Sequence, residues 1–542
     1  MNRRNFLLNT SIISLSASTF TLQSCQNSDI NANKQTVSTT DFIDDFELNE
    51  ISIEALQQKM TDDSTQYSAR KVTQMYLQRI EAIDKNGPKL NALIEINPDA
   101  LAIADALDKE RKEGKVRSTL HGIPVLIKDN IDTADKMNTT AGSLALLGNI
   151  ATNDAFVVQQ LRNAGAVILG KTNLSEWANF RAQKSTSGWS SRGGLTKNPY
   201  ILDRNPSGSS SGSGVAVAAN LCVVAVGTET DGSVVCPAAT NGVVGIKPTV
   251  GLISRSGIIP ISETQDTAGP IARTVKDAAI LLGVLAGTDA NDPITNQSKT
   301  KLHTNYVPFL DINALKGKRI GVEKKPPSSN IFINKLFDEA LKTLQQQGAT
   351  IVQIELLDKI YELSPSELEV LTYEFKDGVN KYLSTANAKV KSLKEVIAFD
   401  NANETQTMPY FGQDTLEKAE QKAGLDSPEY LKALNKSFNG SRALIDKIMG
   451  DNKLDAIAGI TIGPACTTDL VYGDQFGDTY FAMPAAISGY PNITVPCGMM
   501  HKLPLGISFF SQAYTEPSLL GIAYAYEQAS KHRTIPTFIP NL

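Results

Sequence analysis

Ser207-Gly-Ser-Ser-Ser-Gly-Ser-Gly214, an apolar run ending in Val223-Val-Ala-Val226, and Gly227-Thr-Glu-Thr-Asp-Gly-Ser-Val-Val-Cys-Pro237 form one continuous stretch, and the reading of the chain turns on it. Residues 207–214 read as a loop of glycine and serine, which lets backbone pass close to a ligand and supplies hydroxyls. Residues 223–226 read as a buried strand. The chain then turns at Gly227 and presents Thr230, Asp231, Gly232 and Ser233 in a tight loop. Consecutive N–H groups in such a turn converge on an anion. A serine at the end of that nest has an oxyanion site built from its neighbours, which marks Ser233 as a nucleophile.

Towards the N-terminus, His121-Gly-Ile-Pro-Val-Leu-Ile-Lys-Asp-Asn130 places a buried strand over residues 123–127, with Lys128 at its end beside Asp129 and Asn130. A lysine there either reaches solvent or sits desolvated. In an apolar, hydrogen-bonded site an amine loses its proton and becomes a base, and proximity to the Gly/Ser loop would favour that reading. Beyond this point helices (residues 153–164, 331–347, 517–531) alternate with strand-like runs (166–169, 241–246, 319–322, 350–354, 456–460, 493–495, 506–510). The class expected is α/β, a central mixed sheet with helices on both faces. Residues 49–120 read as helical, 181–206 as a long polar loop lining an entrance, and 357–450 as a helical insertion or cap.

The chain opens with Arg3 and Arg4, a short apolar region, and Leu22-Gln-Ser-Cys25. That order describes an export signal over residues 1–25 with a lipobox, in which Cys25 would be lipidated. Residues 26–48 are polar and read as a tether, leaving 49–542 as one domain. The expected address is bacterial and periplasmic, anchored to the membrane through Cys25.

The 542 residues are 41% hydrophobic and 20% charged with a net charge of −5, long enough to bury a large core. Mild acidity without basic runs argues against a nucleic-acid partner. Cys222, Cys236, Cys466 and Cys497 lie in apolar or Pro/Gly contexts and read as buried thiols, although a Cys222–Cys236 bridge is open in an oxidising compartment. With no Cys-x-x-Cys, no His-Glu-x-x-His and four histidines, no metal or cofactor is expected. Ser68-x-x-Lys71 matches a penicillin-binding signature, but no Lys-Thr-Gly follows, and a serine before a basic helix reads as its cap.

These motifs together resemble the amidase signature family. The resemblance rests on 207–214, on Gly227 to Ala238, on Gly122-Ile-Pro-Val-Leu-Ile-Lys-Asp-Asn, on Gly170-Lys-Thr-Asn-Leu-Ser-Glu, and on Gly489-Tyr-Pro-Asn-Ile-Thr-Val-Pro with Leu503-Pro-Leu-Gly-Ile. Within the family, Leu174-Ser-Glu-Trp-Ala-Asn-Phe, Trp189-Ser-Ser-Arg-Gly-Gly and Glu229-Thr-Asp-Gly-Ser are most similar to bacterial peptide amidases, which remove the amide from peptide C-termini. The resemblance implies a Ser–cis-Ser–Lys triad of Ser233, Ser209 and Lys128. The family holds its two serines 24 positions apart, which selects Ser209 (233 − 209 = 24) over Ser210. It also implies an oxyanion hole of backbone N–H groups at Thr230, Asp231 and Gly232. Ser210, Asp129 and Asn130 would support the triad, and Trp177 and Trp189 would shape the pocket. The substrate implied is a small-molecule or peptide amide, cleaved through an acyl-enzyme.

This chain departs from the common Asp-x-Gly-Gly-Ser-x-Arg pattern: Glu229 replaces the Asp, Asp231 the first Gly, and Val235 the Arg. The side chain at 231 adds charge beside the nucleophile. Four other readings are weighed. Gly208-Ser-Ser-Ser-Gly212 fits the esterase elbow with Ser210 as nucleophile, but no strand precedes it. A tRNA-dependent amidotransferase subunit shares the signature, but an export signal excludes it. A non-catalytic binding protein on the same fold, or a general aliphatic or aryl amidase or esterase, stays open.

Overall fold

The computed structural model describes residues 46–542, so the expected export signal, Cys25 and most of the tether lie outside the described residues. Phe46 already packs edge-on against Tyr76, and Leu48 is fully buried.

Thirteen strands are present among the described residues. They are β1 (Leu93–Ile96), β2 (Pro124–Lys128), β3 (Val167–Thr172), β4 (Trp189–Ser190), β5 (Gly194–Leu195), β6 (Val224–Glu229) and β7 (Val244–Lys247). These are followed by β8 (Thr267–Ala272), β9 (Arg319–Glu323), β10 (Thr350–Ile354), β11 (Ala456–Ile460), β12 (Asn492–Met500) and β13 (Leu503–Phe510). Eleven form one mixed sheet in the order β1-β3-β2-β6-β8-β7-β12-β13-β11-β9-β10, while β4 and β5 make a small hairpin. β2 runs parallel to both β3 and β6, and every residue of these three strands is buried. Strands covered on both faces need continuous apolar runs, which is why this part of the sheet is the most legible in the sequence.

Four strands were not expected: β4 and β5, a hairpin within the 181–206 stretch read as a loop, and β1 and β8 in the main sheet. β1 lies inside the stretch read as helical. It joins the edge antiparallel to β3, and its alternation is too short to stand out. β8, Thr-Ala-Gly-Pro-Ile-Ala, carries a Gly-Pro pair that reads as a turn. It pairs antiparallel with β6 along its whole length, and at Gly269 a Cβ would meet the Ile246 carbonyl at 2.1 Å. The Gly/Ser stretch is also shorter as a loop than expected. A buried helix, Ser211–Ala218, begins within it.

Ser68 caps the helix Ala69–Arg79 by accepting from the Lys71 N–H, as expected of a cap. Cys222, Cys236 and Cys497 are buried free thiols, whereas Cys466 is half-buried. Between β10 and β11 the chain is helical without a strand, the longest helix being Ser364–Thr385. Its Leu371, Phe375 and Val379 pack with Trp177, Phe180 and Ile261 in a second apolar cluster.

Gly212 is where the signature helix is pressed against the sheet. A Cβ there would lie 2.1 Å from the Ala92 carbonyl oxygen and 2.6–2.8 Å from the Asn173 backbone. All the opposing atoms are main chain and cannot rotate away. Gly212→Ala is expected to destabilise the protein by about 3 kcal/mol or more, read as a fall in the denaturation midpoint.

Candidate active site

β2 ends at Lys128 and β6 at Glu229, side by side in parallel register, with Ile127 opposite Val226. This puts the Lys128 amine beside Thr228. Lys128 Nζ lies 2.7 Å from Ser209 Oγ, 2.8 Å from Thr228 Oγ1 and 3.1 Å from the Thr228 carbonyl oxygen. The amine is fully buried, and desolvation pulls its pKa down to about 7, against the opposing charges of Asp266 and Glu229. The Gly208–Ser209 peptide is cis. Asn130 Nδ2 donates to Thr228 Oγ1 at 3.0 Å, so Asn130 orients the hydroxyl that holds the amine.

Ser233 lies in the loop between β6 and the short helix Val235–Thr240, and it lines a cleft of about 370 Å³. The loop is tied at several points. Glu229 Oε2 accepts from the N–H groups of Val234 (2.7 Å) and Val235 (3.0 Å). Thr230 Oγ1 donates to Asp266 Oδ1 at 2.5 Å, and Asp266 Oδ2 accepts from the N–H groups of Ile261 and Ser262. Gly232 has φ +78°, and a Cβ there would meet the Tyr480 hydroxyl at 2.5 Å, so both conformation and space require glycine. Among the described residues, no hydrogen bond within the protein engages the N–H of Thr230, Asp231 or Ser233. The Gly232 N–H lies near enough to the Glu229 carboxylate to lower its pKa against the rise that burial imposes.

Ser210 is a brace, not a partner of the amine. Its N–H donates to the Ser233 carbonyl (3.1 Å), its Oγ donates to the Thr228 carbonyl (3.1 Å), and the same Oγ accepts from the Thr228 N–H (3.2 Å). A Cβ at Gly227 would collide with that Oγ at 2.8 Å. No strand leads into Ser210, which removes the support the esterase elbow needs.

Asp129, Trp177 and Trp189 do not reach the cleft. Asp129 is buried under the loop at 140–142, where it accepts from Thr140 Oγ1, the Gly142 N–H and Arg192 Nη1. Trp177 meets Phe375 edge-on at 6.1 Å, and Trp189 meets Tyr410 at 5.8 Å and Phe411 at 4.9 Å. Both indoles fasten the helical segment to the sheet domain. A large apolar surface needs covering, and the 357–450 segment covers these two. Their neighbours Ala178, Asn179 and Phe180 line the cleft instead. Other lining residues come from distant sequence and gave no local signal: Leu371 from the helical segment, and Ile462, Asp474, Phe476 and Tyr480 from the stretch between β11 and β12. Thr228 and Asp266 were also missed, the first because it reads as one more strand residue.

The family model described as Amidase matches residues 71–520. A probable amidase of Arabidopsis thaliana is 43% identical, covering 91% of this chain and 93% of that one. A putative amidase of Schizosaccharomyces pombe is 36% identical over 91% and 87%. Among solved structures, native peptide amidase from Stenotrophomonas maltophilia is 47% identical with a TM-score of 0.87, covering 91% of this chain and 99% of that one. A structure of the peptide amidase PAM with the competitive inhibitor chymostatin is 48% identical with a TM-score of 0.87, covering 90% and 99%. These relatives correct the expected address. The curated amidases come from a plant and a fungus, not from a bacterial periplasm, and the Leu22 to Cys25 motif behind that expectation is four residues long and lies outside the described residues. The mixed eleven-stranded sheet flanked by helices is the fold of these neighbours, and with the match running over most of its length the chain belongs to the amidase signature family, whose members include hydrolases of amide C–N bonds such as these neighbours, and is itself an amidase.

Proposed function

We propose that this amidase hydrolyses the C-terminal carboxamide of peptides, releasing ammonia through an acyl-enzyme on Ser233. The observation that carries the reading is the 2.7 Å contact between Ser209 Oγ and a fully buried Lys128 amine whose pKa is held near 7. A neutral amine at that position accepts a proton from Ser209, and Ser209 accepts one from Ser233 as Ser233 Oγ attacks the carbonyl carbon. The tetrahedral oxyanion takes hydrogen bonds from the loop N–H groups around Thr230 and Asp231. The proton returns through Ser209 to the departing nitrogen, the C–N bond breaks, and ammonia leaves. Water then attacks the ester, returning Ser233 Oγ and giving a carboxylic acid.

Two features support a peptide on the acyl side. The cleft is walled by Phe180, Ile261, Leu371, Ile462 and Phe476, which suit amino-acid side chains. The peptide amidases among the neighbours share nearly half of its residues. Leu371 makes the helical segment one wall of the cleft, the role of a cap.

The test is ammonia release from a C-terminally amidated dipeptide, an N-acylated amino-acid amide and a simple aliphatic amide, with no tRNA present. The peptide amide is expected to have the highest kcat/KM, by about tenfold or more over the aliphatic amide, since each buried side chain contributes roughly 1–3 kcal/mol. Turnover of the aliphatic amide alone would overturn the peptide assignment and keep an amidase. The export argument against an amidotransferase falls with the periplasmic address, and turnover without tRNA or partner subunits answers that rival directly.

A further inference from the structure

Hydrolysis at this site turns a neutral carboxamide into a carboxylate, so the site has to tell the two apart. The described residues that line the cleft include no lysine, arginine or histidine, and two carboxylates, Asp231 and Asp474. Asp474 is committed to the wall, since it accepts from the Ser187 N–H (2.9 Å), Ser187 Oγ (2.5 Å) and Asn205 Nδ2 (2.9 Å). Asp231 is different. It stands two residues before Ser233, in the loop whose N–H groups face the reacting carbonyl. Its Oδ1 accepts from the Tyr480 hydroxyl at 2.8 Å, and among the described residues its Oδ2 has no partner in the protein.

That side chain is not needed for the oxyanion hole, because the donors there are backbone groups and glycine would supply the same N–H. A negative charge so close also opposes the oxyanion. Some other step must therefore gain from it. Tyr480 fixes the carboxylate in place against the cleft. The titratable groups whose charge acts on it are Glu229, Lys247, Cys236, Tyr361, Tyr480 and Glu367. Glu367 is pushed well above the carboxylate range by burial and by Asp231 itself, while its Oε1 accepts from Gln265 at 2.9 Å. Desolvation, with Glu229 nearby, pushes the Asp231 carboxyl up from the usual carboxylate range. At pH 8 the Lys128 amine is mostly neutral and does not offset the Asp231 carboxylate, which makes no ion pair among the described residues.

We propose that Asp231 is a specificity-determining residue that selects carboxamide over carboxylate ends, excluding unamidated peptides and expelling the acid product by like-charge repulsion across the cleft. The inference rests on the peptide-amide reading above and deepens it. Two unit charges about 5 Å apart at an effective dielectric of about 20 repel strongly enough for a discrimination of tenfold or more. A neutral carboxamide meets no such penalty and can donate an N–H to Oδ2.

The experiment measures, at pH 8, the ratio of Ki for the free-acid dipeptide to KM for its amide in the full-length wild type, Asp231→Asn, Asp231→Gly and Asp231→Glu. The ratio is insensitive to a general loss of binding or of turnover. It is expected to fall about tenfold or more in the Asn and Gly variants and to stay within about threefold of wild type in the Glu variant, which keeps the charge. Two neutral variants guard against one failing to fold. An unchanged ratio in the neutral variants overturns the proposal, and so does a Glu variant that falls as far as Asn, which would make Asp231 a packing residue held by Tyr480. Failure of the peptide-amide reading shows separately, as absent turnover of the peptide amide by wild type. The same ratio is then taken with the amide that is hydrolysed and its acid.

Discussion

Replacing Ser233 with alanine is expected to lower kcat/KM for every amide substrate by about 10⁴–10⁶-fold, the range seen when an acyl-enzyme nucleophile is removed. The residual rate comes from the oxyanion loop and from binding, which alanine leaves in place. The fold should be untouched. The Ser233 hydroxyl makes no hydrogen bond within the protein among the described residues, so its loss orphans no partner, and the Ser233 carbonyl keeps its bond from the Ser210 N–H. The check is ammonia release alongside a thermal melt. A variant that melts like wild type yet retains more than about 1% of its activity would remove Ser233 from the mechanism and return attention to Ser209. Ser209→Ala is the informative companion, because it leaves the nucleophile in place but breaks the 2.7 Å link to Lys128.

How much of this was legible in the sequence follows from what kind of signal each part carries. β2, β3 and β6 are read correctly because strands buried on both faces leave uninterrupted apolar runs. Lys128 stands out only as a charged residue closing such a run. Its burial against Thr228 is a consequence of β2 and β6 being neighbours, which no local pattern states. β8 was invisible because its Gly-Pro pair belongs to a close strand contact, not to a turn. Trp177 and Trp189 were placed at the substrate because motif position carried them there. The structure assigns both to the interface with the helical segment, where Phe375, Tyr410 and Phe411 cover them. Asp231 was noted as added charge, but its fixing partner Tyr480 lies 249 residues away in sequence. Cleft walls assembled from such separations leave no spacing rule behind.

Lys128→Met is expected to cut kcat/KM by about 10³-fold or more, the upper part of the range for loss of a general base, and to do so without loss of stability below pH 7. The amine is held near 7 in the folded protein against 10.5 for a free lysine, chiefly by desolvation. The unfolded chain therefore binds this proton more tightly. Between about pH 7 and pH 10.5 wild-type stability rises with pH on account of this group, and below pH 7 the full penalty of burying the amine applies. One pKa unit corresponds to about 1.4 kcal/mol, so the penalty is several kcal/mol. Methionine removes it, against about 1–3 kcal/mol for leaving Thr228 and Ser209 short of a donor. The thermal midpoint of the variant should equal or exceed that of wild type at pH 6, with the advantage shrinking as pH rises towards 10. Activity has the same origin and the same sign. Wild-type kcat/KM should climb about tenfold per pH unit below about pH 6 and level off above pH 7, as the neutral base becomes the dominant form. The Asp231 carboxyl is also pushed up from the carboxylate range, so the profile is repeated on Asp231→Asn: the rise must persist there if Lys128 sets it. A wild-type profile flat from pH 5 to 9 would mean that the buried amine carries no proton in catalysis, and the relay from Ser233 through Ser209 would have to be abandoned.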